Sequence, residues 1–227
     1  MEISVFELRL KVYTLVDINL EEVLLAEAEY IDSAFALDDE WFRFHENNEY
    51  KNYTFSGLYP LAKDGIYKKD NVYTITIRTV DSRLEQYMRK TLANHYTDKM
   101  KGLTITSRII PKKFINQLYT LTPVIQKYDE AVSIDEYEKR LFANAVKKYN
   151  AFTGEKIDED FQLYNEISFI NKKPVKFPCK GIVLLGDKIN LKIADNKLAQ
   201  ELAYFLTGTG LGETNSRGAG FCNYRWL

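Results

Sequence analysis

The chain has 227 residues, of which 45% are hydrophobic and 28% charged, and its formal net charge at pH 7 is −1. This composition can fill one large core or two smaller ones, and it excludes an intrinsically disordered chain. A net charge near zero is not typical of a protein that wraps broadly around nucleic acid. No apolar run approaches the roughly 18 residues of a membrane span, and the N-terminus lacks a basic-then-apolar signal segment. We therefore expect a soluble, cytoplasmic protein without membrane contact.

Hydrophobic periodicity predicts the same order of elements, βαββαβ, in both halves of the chain. In the first half we predict strands at 3–15, 53–60, 72–80 and 103–110 and helices at 20–37 and 81–95. In the second half we predict strands at 118–126, 161–170, 179–185 and 221–226 and helices at 133–149 and 195–206, with residues 188–193 extending the hairpin. The fold expected from this order is α+β, with two tandem ferredoxin-like (RRM-like) modules. We place the modules at residues 1–112 and 113–227.

The two cysteines, Cys179 and Cys222, lie in or beside predicted strands. Neither a third cysteine nor a histidine has the spacing of a metal ligand, so we expect two buried free thiols. No carboxylate cluster suggests a metal site either, and we expect no cofactor.

Glycines are concentrated near the C-terminal end, where five of the eleven in the chain fall between Gly208 and Gly220. Such a cluster marks a shaped loop, because glycine tolerates positive φ and close approach of a ligand to the backbone. Dinucleotide-binding turns and P-loops precede a helix, whereas this segment follows one and leads into a strand. Both nucleotide sites are therefore excluded. The plainer alternative is a helix C-cap followed by an ordinary loop.

A basic segment precedes that loop. Between Lys172 and Lys192 there are six lysines and a single acid, Asp187. The segment is either a solvated face or a local track for phosphates, and composition does not decide between them.

Two histidines are present, His45 and His95. His95 ends a predicted helix, where a surface or capping role is the plain interpretation. His45 lies in a polar segment that we expect to be a loop after the first helix. It is the better candidate for proton transfer, since imidazole titrates near neutral pH and loops commonly carry function.

Residues 210–221 resemble the glycine-rich loop of the CRISPR-associated repeat-processing endoribonucleases, which belong to the RAMP superfamily. That family has tandem ferredoxin-like modules with this loop between the last helix and the last strand. Its members also carry a tyrosine in the first helix, a histidine just beyond it, a lysine shortly after, and then an aromatic-Thr-aromatic strand. These features fall here on Tyr30, His45, Lys51 and residues 53–55.

The resemblance implies metal-independent cleavage of CRISPR precursor RNA within its repeats, which produces mature guide RNAs. In this reaction the ribose 2′-OH attacks the adjacent phosphate and leaves a 2′,3′-cyclic phosphate and a 5′-OH. His45 would be the general base and Lys51 would stabilise phosphate charge, while Tyr30 would orient the 2′-OH or donate to a phosphate oxygen. In the plainer alternative, Tyr30 covers the core and Lys51 is an ordinary exposed lysine.

The resemblance also implies that CRISPR repeat RNA is the partner, and it leaves open further subunits of a guide-RNA complex and an oligomer. We expect phosphate contacts from the loop residues Gly210, Gly212, Asn215, Ser216, Arg217, Gly218 and Gly220. Further contacts are expected from the hairpin residues Lys172, Lys173, Lys176 and Lys180. Two other functions stay open: a noncatalytic RNA-binding subunit of the same superfamily, and a ferredoxin-like module that binds a small ligand or regulates.

Overall fold

The structure is a computed structural model that describes residues 2–126, 133–179 and 181–227. The first half contains β1 (Phe6–Thr14), β2 (Ile18–Asn19), α1 (Val23–Phe35), α2 (Asp39–Glu46), β3 (Tyr53–Phe55), β4 (Ile66–Tyr67), β5 (Val72–Thr79), α3 (Ser82–Thr91) and β6 (Met100–Ile109). The second half contains β7 (Ile115–Thr120), β8 (Val124–Ile125), α4 (Ile134–Thr153), β9 (Tyr164–Phe169), β10 (Val175–Cys179), β11 (Ile182–Asp187), β12 (Ile189–Ile193), α5 (Lys197–Thr209) and β13 (Cys222–Trp226). Two 3₁₀ turns lie at Leu92–Asn94 and Asn215–Arg217.

Each half of the chain folds around a four-stranded antiparallel sheet. The strand orders are β3-β5-β1-β6 and β13-β7-β12-β9, so the first and third strands of each unit pair at its centre. This is the ferredoxin-like arrangement, and the predicted tandem fold is confirmed. The boundary at residues 112 and 113 stays a prediction; it lies between the end of β6 and the start of β7.

The third strand of the second module differs from the prediction. It is β12, which pairs with both β7 and β9, and not the segment at 179–185. That segment lies in the β10–β11 hairpin, which forms a separate small sheet with β8. Burial explains why β12 and not the hairpin segment joins the main sheet. In β12, Ile189, Leu191 and Ile193 alternate inward, whereas Ile182 and Val183 of the hairpin are each 59% exposed. Both segments are rich in strand-forming residues, so the sequence pattern alone did not separate them.

The segment predicted as a polar loop after the first helix is the short helix α2. The carboxylate of Asp38 accepts hydrogen bonds from the N–H groups of Glu40 and Trp41, which caps its first turn. Trp41 and Phe44 then pack on the buried ring of Phe35 from α1. The helix therefore forms because an aromatic face covers the core, although most of its residues are polar.

A buried arginine joins the two modules. Arg78 on β5 donates to the carbonyl of Cys222 at 2.7 Å and to Asn223 Oδ1 at 2.9 Å, both on β13. Its remaining hydrogen bonds go to Glu7, a buried carboxylate that also pairs with Arg108. Although burial alone would raise the pKa of Glu7, the two arginines lower it below the ordinary value. The ionised pair therefore fixes the modules in one arrangement.

Helix α5 strengthens this junction. The hydroxyl of Tyr204 accepts from the N–H of Val5 at 3.1 Å and donates to the carbonyl of Ile110 at 2.7 Å. Gly208 lies inside α5, not in the loop as predicted, and a Cβ there would meet Val80 Cγ1 at 2.8 Å. Glycine is thus required at Gly208 for close packing of the modules. Within the described ranges, no helix has both the length and the apolar character of a membrane span.

Candidate functional site

His45 lies on α2, and the carboxylate of Asp32 links it to α1 and to the glycine-rich loop. Its Nδ1 is 3.2 Å from Asp32 Oδ1 on α1, and the side chains of His45 and Asp32 are 23% and 18% exposed. The second oxygen, Asp32 Oδ2, pairs with the guanidinium of Arg217, which lies in the glycine-rich loop of the other module. An ion pair this shielded from water interacts more strongly than a surface pair. The candidate base and the candidate RNA-binding loop therefore meet at Asp32.

Lys51 caps the helix that carries His45. Its Nζ donates to the carbonyl of Phe44 and, at 2.6 Å, to that of Asn47, both in the last turn of α2 or just beyond it. It also lies 4.8 Å from the ring centre of Phe44. A cation at a helix C-terminus satisfies carbonyls that have no partner within the helix. Lys51 thus fixes the end of α2 one residue beyond His45, and its charge stays at the edge of the cleft described below.

Tyr30 is not placed with His45 and Lys51. Its side chain is fully buried, and its hydroxyl donates to the carbonyls of Leu92 at 2.5 Å and His95 at 3.0 Å. Burial also raises the pKa of Tyr30 above its ordinary value. The structure therefore differs from the expected direct contact with RNA, because in this conformation the hydroxyl faces the core and is used within the protein. It holds the 3₁₀ turn after α3, as the plainer alternative had it.

The second histidine, His95, is held by the same helix. Its Nε2 lies 2.7 Å from the hydroxyl of Ser33, and its ring packs edge-on against Tyr30 with 5.0 Å between the ring centres. Burial lowers the pKa of His95 below the ordinary value. Helix α1 thus orients both histidines, His95 through Ser33 and Tyr30 and His45 through Asp32.

The glycine-rich loop between α5 and β13 is tightly folded. Four of its glycines have positive φ: Gly210, Gly212, Gly218 and Gly220. A Cβ at Gly220 would lie 1.9 Å from the carbonyl oxygen of Leu211, which shows how closely the backbone at the two ends of the loop approaches itself. The N–H groups of Gly210, Gly218 and Gly220 donate to carbonyls within the protein. In this conformation these three groups are therefore not available to phosphates, contrary to expectation.

Asn215 and Tyr53 hold the part of the loop that faces solvent. The amide of Asn215 donates at 2.9 Å to the carbonyls of both Leu211 and Ala219, which closes the loop on itself. The hydroxyl of Tyr53, on β3 of the first module, donates to the carbonyl of Ser216 at 3.3 Å. Residues 213–217 of the loop are half-buried, whereas the glycines on either side of them, Gly212 and Gly218, are buried.

Lys148 on α4 is a functional candidate that the sequence analysis missed. Its Nζ is buried and donates to the carbonyls of Gly210 at 2.5 Å and Gly212 at 3.1 Å, and to Asn215 Oδ1 at 3.0 Å. Burial lowers the pKa of Lys148 to about 7. A signal was present, because Lys148 falls on the inward stripe of α4, three residues after the buried Ala145. A lysine at such a position requires buried acceptors, and here the loop supplies them.

A cleft of about 950 Å³ lies beside these groups, between the two modules. Its walls are the segment after α2, one side of α4 and the outer part of the glycine-rich loop. The cationic side chains that line it are Lys51, Arg140, Lys147 and Lys148, and the acidic ones are Glu49 and Glu213. His45 is not among the lining residues, but Lys51 is, and the loop residue Ser216 joins the cleft to Arg217. The cleft therefore runs next to the His45–Asp32–Arg217 cluster.

The predicted basic hairpin lies elsewhere on the second module. Lys172, Lys173 and Lys176 are exposed, as a surface that contacts phosphates requires, and Lys180 lies outside the described residues. Lys172 and Lys173 line a second cavity of about 770 Å³, between the hairpin and the start of α4. The structure thus separates these lysines from the cluster around His45.

The cysteines are both free: Cys222 is buried and Cys179 is half-buried. Burial raises the pKa of Cys222 to about 11. Among the described residues, no group of three His, Cys, Asp or Glu side chains is arranged to hold a metal ion.

Comparisons with known proteins agree on one family. Residues 117–224 match the family model described as CRISPR associated protein Cas6, C-terminal. The chain is 26% identical to the CRISPR-associated endoribonuclease Cas6 2 of Methanocaldococcus jannaschii, over 82% of this chain and 86% of that protein. A solved structure of a CRISPR associated protein Cas6 superposes with a TM-score of 0.71 at 21% identity, covering 97% of this chain and 99% of that one. A RAMP protein described as binding different RNA substrates gives 0.68 at 16% identity, with the same coverage of both chains.

Proposed function

We propose that the protein is an endoribonuclease that processes CRISPR precursor RNA within its repeats, because residues 117–224 match the Cas6 C-terminal family model and the chain superposes on a solved Cas6 structure. The observation that carries the proposal is the contact of His45 with Asp32 beside the cationic cleft. A groove lined by lysine and arginine follows a phosphate backbone, while a nearby imidazole transfers protons near neutral pH.

The proposed reaction uses Lys51, which lines the cleft, and His45, which lies in the cluster next to it. His45 accepts the proton of the ribose 2′-OH, the 2′-oxygen forms a bond to the adjacent phosphorus, and the bond from phosphorus to the 5′-oxygen breaks. The leaving 5′-oxygen takes a proton from water, so the products are a 2′,3′-cyclic phosphate and a 5′-OH, and His45 returns its proton to solvent. Lys51 favours the negative charge that develops on the phosphate, and the reaction requires no metal ion.

RNA binding is assigned to the cleft and to the outer part of the loop. Lys147 and Arg140 on α4 face a strand that runs along the cleft, and Asn215 and Ser216 offer polar groups at its wall. Gly210, Gly212, Gly218 and Gly220 shape the loop, so their contribution to binding is conformational. Lys172, Lys173 and Lys176 contact the RNA further along, where shape and phosphates are recognised.

Cleavage of the repeat RNA encoded beside the protein's own gene tests the proposal. We expect cleavage in the presence of a chelator, products with a cyclic phosphate end, and no cleavage when the scissile ribose is 2′-deoxy. General acid–base catalysis contributes about 10²- to 10⁴-fold, so His45→Ala is expected to slow cleavage by that factor while binding is largely retained.

His95→Ala is the matched control and is expected to cleave. If His45→Ala cleaves at the wild-type rate and His95→Ala does not, the base is His95. RNA binding without cleavage by the wild-type protein would instead identify a noncatalytic RNA-binding subunit. Absence of RNA binding would exclude both functions.

A further inference from the structure

We propose that Asp32 is the positioning residue that holds His45 in its proton-accepting form. The proposal rests on the proposed function and adds to it a residue that touches no RNA. Asp32 is well placed for this task, because it lies on α1 between the two other parts of the cluster, α2 and the glycine-rich loop. Its carboxylate reaches His45 on α2 with one oxygen and Arg217 in the glycine-rich loop with the other.

The contact selects one tautomer of the imidazole. In a neutral imidazole one nitrogen donates a hydrogen bond and the other accepts, whereas an ionised carboxylate only accepts. The nitrogen nearest the carboxylate is Nδ1, 3.2 Å from Asp32 Oδ1, and an ionised carboxylate at this side of the ring favours the tautomer with the proton on Nδ1. The lone pair is then on Nε2, at the opposite side of the ring, which is the form that a general base requires.

Arg217 is the cationic partner that orients the carboxylate of Asp32. The side chains of both Asp32 and Arg217 are 18% exposed, and a carboxylate this far from water needs a cationic partner. The loop that supplies Arg217 is itself attached to the first module one residue earlier, where Tyr53 donates to the carbonyl of Ser216. The orientation of the base in one module therefore depends on the placement of the loop in the other.

This assignment changes the expected role of Arg217. From the sequence, Arg217 is expected to bind RNA phosphates, but in the structure its guanidinium is paired with Asp32. Arg217 acts on cleavage through the carboxylate, and Lys147 and Arg140 supply cations to the cleft.

Asp32→Asn tests the proposal, because it keeps the shape of the side chain and removes its charge. We expect cleavage under single-turnover conditions to slow at least roughly 10- to 100-fold, the range for groups that orient a metal-ligating histidine, since a carboxylate behind a general-base histidine contributes up to about 10⁴-fold. The affinity for a 2′-deoxy repeat RNA is expected to stay equal or to increase, because one negative charge near the phosphates is lost. Asp39→Asn makes the same charge change at an exposed site on α2 and is expected to leave the cleavage rate unchanged.

A nitrogen NMR spectrum of the imidazole rings gives a readout that does not depend on any substitution of Asp32. In the wild-type protein we expect neutral His45 to carry its proton on Nδ1, with the two histidines assigned by a His95 variant. A proton on Nε2 would overturn the proposal. An Asp32→Asn protein that cleaves at the wild-type rate, or that loses affinity as much as rate, would overturn it as well. Failure of the proposed function is distinct, because the wild-type protein itself would then not cleave the repeat RNA, and unchanged cleavage by His45→Ala would show that His45 is not the base.

Discussion

The ammonium of Lys148 lies 2.5 Å from the carbonyl oxygen of Gly210, so a buried cation of α4 holds the start of the glycine-rich loop. The same group reaches Gly212 and Asn215 further along the loop. The conformation of the loop thus depends on one side chain from outside it.

Lys148→Met is expected to destabilise the protein and to weaken RNA binding. The substitution leaves the carbonyls of Gly210 and Gly212 without their buried donor, at a cost of about 1–3 kcal/mol each. Urea denaturation and RNA titration measure the two effects.

Lys147→Met is the matched control, because Lys147 immediately precedes Lys148 on α4, is exposed, and lines the same cleft. We expect this variant to keep its stability and to lose one phosphate contact, which reduces the slope of log affinity against log salt by about 0.7–0.9. Equal stability losses in the two variants would contradict the role assigned to Lys148.

The same lysine predicts a pH dependence of stability. Its pKa is about 7 in the folded protein and 10.5 as the ordinary value, so between these pH values the unfolded chain binds more protons at this site. Stability from this group therefore rises with pH above about 7 and falls as the pH drops towards it. We expect the free energy of unfolding of the wild type, minus that of Lys148→Met, to increase from pH 7 to pH 9. A flat difference would contradict the lowered pKa.

Glu27 on α1 predicts the opposite pH dependence of stability. Its side chain is fully buried, and neither carboxylate oxygen has a hydrogen-bond partner among the described residues. Burial raises its pKa well above 4.5, so the carboxyl is protonated in the folded protein over a range where the unfolded chain is ionised. The stability that Glu27 contributes is therefore complete below pH 4.5, and it is lost as the pH rises towards the pKa of Glu27 in the folded protein.

We therefore expect Glu27→Gln to be more stable than the wild type at pH 7, with a smaller difference at pH 4.5. Thermal denaturation at the two pH values measures this. Glu29→Gln is the control, since Glu29 is 49% exposed on the same helix and pairs with Lys99. If both variants respond alike, burial of Glu27 is not the cause.

Two glycines with positive φ separate crowding from backbone strain. Gly220→Ala places a Cβ 1.9 Å from Leu211 O, whereas Gly154→Ala, after α4, meets nothing within 4 Å. Both variants carry the cost of a left-handed backbone, about 1–2 kcal/mol. We expect Gly154→Ala to lose only that and to bind RNA normally. Gly220→Ala is expected to lose more stability and its RNA affinity, and similar behaviour of the two in denaturation and binding would contradict the close approach.

Periodicity and capping residues predicted most of the fold. The helices predicted to begin at residues 81 and 133 are α3 and α4, which Asp81 and Ser133 cap, because a capping signal acts within one turn of the helix. Helix α2 was missed because its stability comes from packing on Phe35, which a local pattern does not contain. The third strand of the second module was predicted wrongly at 179–185, since burial by the rest of the module, which a local pattern does not contain, selects β12.

The site was predicted less completely than the fold, for a related reason. His45, Lys51 and the glycine-rich loop were found from the sequence, and the structure brings all three to the edge of the cleft. Asp32 was missed because its partner Arg217 is 185 residues away, a separation at which no sequence pattern indicates contact. Tyr30 matched the family position, but the sequence did not show that its hydroxyl turns inward.

The buried arginine between the modules has a consequence for synthesis. Arg78 is made 144 residues before Cys222, whose carbonyl it binds. During translation the first module leaves the ribosome with this guanidinium still hydrated and with Val5 and Val80 uncovered, because α5 does not yet exist. The nascent chain therefore passes through a stage at which the first module exposes an apolar and charged surface that α5 and β13 cover only when synthesis is nearly finished.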